Sequence, residues 1–112
     1  MSAPLSTQLA AAKNGLEDAQ IAYCGAVTLH AETKRALEVA VATKLCAGVE
    51  GKNEAQRDAR MRLELSAEHS ALATAEDALT DARCSLEVAR LEWDLVRYQM
   101  RMREPVGSPL GV

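Results

Sequence analysis

Apolar residues along this chain follow the heptad spacing of a helix packed on another helix, not the alternation of a strand. In the second half Leu65, Leu72, Leu79, Leu86, Trp93 and Met100 recur every seven residues, and Ala75, Ala82, Ala89 and Val96 follow three places behind them. This is an a and d seam. The first half repeats it, with Leu9, Leu16, Tyr23, His30 and Leu37 in the large positions and Ala12, Ala19, Ala26, Thr33 and Ala40 in the small ones. Folding one half back on the other sets Leu37 opposite Leu65, His30 opposite Leu72, Tyr23 opposite Leu79, Leu16 opposite Leu86 and Leu9 opposite Trp93. The same register sets Ala12 opposite Ala89, Ala19 opposite Ala82, Ala26 opposite Ala75 and Ala40 opposite Met61. Alternating large and Ala layers let two helix backbones approach closely.

The punctuation agrees with that pattern. Proline occurs only at positions 4, 105 and 109, so the strongest helix breaker is absent from the whole interior. Pro4 suits a first helical turn, with Ser2 or Ser6 as caps. In Gly48-Val49-Glu50-Gly51-Lys52-Asn53-Glu54-Ala55-Gln56, Gly51 can end the first helix in a left-handed conformation, Asn53 can cap the second, and Gln56 can complete a capping box. The expected fold is therefore all-α: a long antiparallel two-helix coiled-coil hairpin, with helix one over about 4–49, a turn at 50–53, helix two over about 54–103 and a disordered tail at 104–112.

Positions beside the seam bring in a second expectation. One flank carries Gly15, Ala22, Leu29, Ala36, Ala71, Ala78 and Ser85, small or apolar residues that a solvated hairpin would not need. A further stripe, Cys84, Val88, Leu91, Leu95, Tyr98 and Met102, follows helical spacing on the back of the C-terminal half. A contiguous apolar stripe of this kind marks an interface, so Val88, Leu91, Leu95, Tyr98 and Met102 are expected to face an oligomer or a partner, with a homodimer forming a four-helix arrangement. The other flank holds Lys13, Lys34, His69, Arg83, Arg90 and Arg97, interrupted by Glu76. Of these, Lys13, Lys34, Arg83, Arg90 and Arg97 are candidate phosphate contacts.

Composition narrows the function. With 112 residues, no Phe and 3% aromatics, the chain has little material for both a core and a roomy catalytic pocket. A net charge of −3 argues against a surface wholly built for nucleic acid, and the few aromatics argue against base stacking. Cys24, Cys46 and Cys84 lie far apart without CxxC spacing, and neither His30 nor His69 has a His or Cys one helical turn away, so no metal site and no cofactor are expected. His30 is expected as a half-buried neutral ring with a local hydrogen bond. Neighbouring carboxylates such as Glu17 with Asp18, or Glu92 with Asp94, fall outward as solvated charges. No Ser or Cys has a facing base, and Gly51-Lys52 lacks the strand and second glycine of a phosphate-binding loop. The chain is not expected to be an enzyme. No run of apolar residues is long enough to span a membrane, and Met1 to Ala12 lack the pattern of a secretion signal, which points to the cytoplasm.

The hairpin tip has two readings. In one, Arg57 and Arg60 pair with Glu54, Asp58 or Glu64 and the segment only connects helices. In the other, Gly51, Lys52, Asn53, Arg57 and Arg60 form a partner or anion contact at the start of helix two. The segment EGKNEAQR, followed by a Leu/Ala-rich helix ending in LEVARLEWDLVRYQMRM, resembles small uncharacterised bacteriophage helical-hairpin proteins that carry a D/E-G-K-N-x-x-x-R turn. The likeness covers the tip and the second helix, about half the chain. It implies a role near DNA replication, recombination or host-defence evasion in the bacterial cytoplasm, with Gly51, Lys52, Asn53 and Arg57 as the matching turn residues. It supplies no activity. The resulting expectation is a non-enzymatic interaction protein, with a DNA-binding accessory protein or a scaffold rod as alternatives.

Overall fold

The computed structural model describes residues 3–103, so the expected tail at 104–112 and the candidate cap Ser2 lie outside the described residues. The fold is an all-α helical hairpin, with α1 over Leu5–Ala47, α2 over Glu54–Glu64 and α3 over Ser66–Met102. Ladder bonds begin at Pro4, whose carbonyl accepts from the Gln8 amide at 3.0 Å. Pro4 thus sits one place before the helix, where its missing N–H costs nothing. Ser6 is a helical residue rather than the cap.

The chain divides into two compact units, Met1–Tyr23 with Ala82–Val112, and Cys24–Asp81. In the first unit the two strands of helix run antiparallel: Leu9 shares a groove with Trp93 and Met100, and further along, Gly15 and Ala19 share another with Val88 and Ala89. In the second unit the same sense holds, since Lys44 meets Glu64 at 3.2 Å while His30 lies near Glu76.

The seam residues are the ones that lose solvent. The buried apolar residues are Ala12, Leu65, Ala75, Leu86 and Ala89, all of them on the predicted seam. Leu9, Leu16, Tyr23, Leu37, Leu72, Leu79 and Trp93 are half-buried, and Met100 is exposed. Ala methyls lie close to the helix axis and are covered by the facing backbone, whereas a longer side chain extends past its single neighbour. Besides His30 and Thr33, two further seam positions are polar. Glu68, seven residues after Met61 and seven before Ala75, is half-buried, and so is Lys44, seven residues after Leu37.

Two details differ from expectation. The first helix ends at Ala47, and the left-handed residue is Gly48, with φ of 88°, its amide donating to the Leu45 carbonyl at 3.3 Å. Gly51 serves another purpose: a Cβ there would stand 2.8 Å from Arg57 Cγ and 2.9 Å from the Arg57 backbone nitrogen. The second helix is also not one segment. Leu65, with φ −103° and ψ 23°, separates α2 from α3. The disturbance is narrow, because the Leu65 amide still bonds Met61 at 2.9 Å and its carbonyl accepts from His69 at 3.0 Å. Ser66 is the weak helix former at this point, and burial of Leu65 to 3% exposure offsets the cost of leaving the helical basin.

Leu86→Ala should lower stability by about 2–4 kcal/mol, because it removes a seam side chain with nothing to refill the space. Gly15→Ala, where a Cβ meets nothing within 4 Å, should raise it by about 0.5–1 kcal/mol. Thermal unfolding followed by circular dichroism checks both signs, and a neutral Leu86→Ala would contradict the seam.

Candidate functional site: the tip, the basic flank and the apolar stripe

The tip is built by local hydrogen bonds. Asn53 adopts an extended backbone, and its Oδ1 accepts from the Gln56 amide at 2.9 Å, the N-cap bond expected of it. The Gln56 side chain returns the bond one place further out than a capping box would, its Oε1 accepting from the Lys52 amide at 2.9 Å. Arg57 lies over Gly51 and donates from Nη1 to the Gly51 carbonyl at 3.4 Å. The structure thus brings Gly51, Lys52, Asn53 and Arg57 together as one closed turn.

Arg60 belongs to a neighbouring network. Its Nε donates to Glu64 Oε1 at 3.1 Å, while Glu64 Oε2 is 3.2 Å from Lys44 Nζ, so one carboxylate ties the end of α1 to α2. The Arg60 guanidinium and then the Lys44 ammonium hold the Glu64 carboxyl below its ordinary value. Arg60 with Glu64 was among the pairs expected from sequence. Lys44 was missed there, although its place seven residues after Leu37 was the signal that would have found it. Arg57 contacts a carbonyl instead of an acid.

The candidate phosphate contacts are unevenly occupied. Lys13 lies 3.8 Å from Glu17, one turn along, and Arg97 stands over the Trp93 ring at 5.8 Å. Lys34, Arg83 and Arg90 are exposed and make no ion pair among the described residues. Arg90 borders a surface groove with Leu16, Glu17, Gln20 and Ile21. His30 is half-buried as expected, but its Nε2 faces Glu76 Oε1 at 3.8 Å, too long for the local hydrogen bond anticipated.

The apolar stripe is the most developed feature of the first unit. Val88, Leu91, Leu95, Tyr98 and Met102 are 54%, 69%, 56%, 58% and 67% exposed. Helical spacing keeps them on one face of α3, turned away from the seam. At one end Tyr98 and Met102 enter a groove with Pro4, Leu5 and Gln8. Val88 lines another, floored by Gly15 and Ala19. Cys24, Cys46 and Cys84 are exposed and not joined in a disulfide. Among the described residues, no group of His, Cys, Asp and Glu is placed to hold a metal ion, and no helix is long and apolar enough to cross a membrane.

Comparison with family models, curated proteins and solved structures finds no match to this chain.

The lowered Glu64 value has a sign that can be checked. A depressed folded-state carboxylate contributes stability above its unfolded pKa and loses it as pH falls through the folded value. Acidification below the usual carboxylate range should therefore loosen the tie between Lys44 and Glu64. Amide exchange at the tip should rise in wild type as pH falls, beyond the intrinsic rate change, and Glu64→Gln should remove that excess. Separately, Gly51→Ala should destabilise by on the order of 1–2 kcal/mol through its clash with Arg57; an unchanged melting temperature would contradict the close approach.

Proposed function

We propose that this chain is a non-enzymatic interaction protein whose docking surface is the α3 stripe, and that its partner works in DNA replication, recombination or host-defence evasion in a bacterial cytoplasm. The observation that carries the docking reading is the exposure of Val88, Leu91, Leu95, Tyr98 and Met102 on one helix face. Scattered exposed apolar residues are ordinary, but five large ones in register are not. They lie beside the seam and stay more than half exposed, a cost in solubility that a covering surface would offset. The cellular setting rests on the phage-type turn motif at Gly51, Lys52, Asn53 and Arg57 alone. In this reading the tip closes the hairpin, with Arg57 giving one donor to the Gly51 carbonyl and Arg60 one to Glu64.

A DNA-binding reading draws on Lys34, Arg83 and Arg90, which make no ion pair among the described residues. It is weaker, because Lys13 and Arg97 are already engaged and the net charge is −3.

A photo-crosslinking residue placed at Leu95 should give a discrete protein adduct in bacterial cells, and one at Lys34 should not. DNA adducts from Lys34, with none from Leu95, would contradict the docking reading and favour the nucleic-acid one.

A further inference from the structure

The exposed row on α3 is graded along its length. Its side chains grow from Cys84 and Val88 through Leu91 and Leu95 to Tyr98 and Met102, and each of them is exposed. Their spacing alternates between four and three residues without a break, so the row is an a and d seam of its own, turned away from the one that closes the hairpin. By helical spacing Glu87, Asp94 and Arg101 run along one edge of it, and Ser85, Glu92 and Gln99 along the other. The first edge is graded too, acidic at its start and basic at its end. Glu87, Glu92, Asp94 and Arg101 are exposed and make no ion pair among the described residues.

A gradient complements itself only when it is reversed. Laid antiparallel on the row of a second copy, with the twofold axis at position 93, Leu91 meets Leu95, Val88 meets Tyr98 and Cys84 meets Met102, each layer occurring twice. Every layer then holds one smaller and one larger side chain, or two leucines, and the helices keep an even spacing along the contact. The same register brings Glu87 of each copy beside Arg101 of the other, and Ser85 beside Gln99. Parallel stacking sets Tyr98 on Tyr98 and Cys84 on Cys84, which is uneven in width, and it brings Glu87 beside Glu92. The antiparallel register has like charges only at the axis, where Asp94 meets Asp94 and Glu92 meets Glu92. Arg90 and Arg97 stand one turn to either side of each Asp94 on its own helix and offset the first pair. Glu92 has no cation one turn away, so the second pair remains a cost.

We propose that the row is covered by a second copy of this chain, packed antiparallel, with the Leu91 and Leu95 layers at the centre and a Glu87–Arg101 pair towards each end. Such a contact is isologous and closes on itself as a dimer. This rests on the docking reading above and names the occupant of that surface, so that a partner in the cell meets a dimer.

Sedimentation equilibrium of the full chain carries the test. Wild type should be a dimer, and Leu91→Ser with Leu95→Ser should be a monomer whose helicity circular dichroism shows to be retained. Glu87→Arg alone and Arg101→Glu alone should each weaken the dimer about tenfold, since each turns two opposite-charge pairs into like-charge pairs, and the two together should restore it. That restoration separates a contact between copies from a local effect on α3. Glu92→Gln should tighten the dimer. A dimer that Leu91→Ser with Leu95→Ser leaves intact would overturn the proposal by placing the contact elsewhere, and tightening by Glu87→Arg would overturn it in favour of the parallel arrangement. A monomeric wild type would also overturn it; a crosslinker at Leu95 that still captured another protein would then leave the docking reading standing, and one that captured nothing would remove both.

Discussion

Everything in this structure depends on a seam between only two layers of helix. A side chain on such a seam is covered by one neighbouring helix and by its own, and by nothing else. Small residues therefore bury well: Ala12, Ala75 and Ala89 reach the core, while most of their larger neighbours, among them Leu16, Leu72 and Leu79, stay half-buried. The Ala layers bring the backbones together, and the leucines gain what cover they have from that approach. A chain held in this way has little margin, and the polar residues on the seam, Glu68, Lys44, His30 and Thr33, are each only half-buried.

The tip shows how a tight reversal is distributed over several residues. Gly48 supplies the left-handed conformation, Gly51 supplies room for Arg57, Asn53 supplies an acceptor for the Gln56 amide in the first turn of α2, and Gln56 one for the Lys52 amide ahead of it. The Gly51 and Gln56 requirements interlock, since a Cβ at Gly51 would press on the backbone of Gln56 and Arg57. Glu64 then bridges Arg60 and Lys44, joining the two helices just beyond the turn.

Helix identity, the seam and the antiparallel sense were legible in the sequence because they are written many times, in every heptad. The Asn53 cap was legible because its chemistry is local. What was not legible depended on single conformations. Gly48 and Gly51 stand close together, and composition does not tell which one turns left-handed and which one avoids a clash. The interruption at Leu65 has no glycine or proline to announce it, and its compensation, burial of the Leu65 side chain, is a tertiary effect. The stripe from Val88 to Met102 was legible as periodicity and is exposed as that periodicity implied. Lys44 was passed over because it is charged at a position where the pattern sought an apolar residue.

The functional reading follows from the same economy. Since two helices can enclose so little, large apolar residues off the seam are left to water, and a row of them stands exposed on α3. The account stands or falls on the seam that turns this row outward. Its most direct test is nuclear Overhauser contact from the single tryptophan, Trp93. The account predicts cross-peaks between the Trp93 ring and the Leu9 methyls, which share a groove. A helical protein whose Trp93 ring contacts Leu37, or none of the α1 leucines, would contradict it.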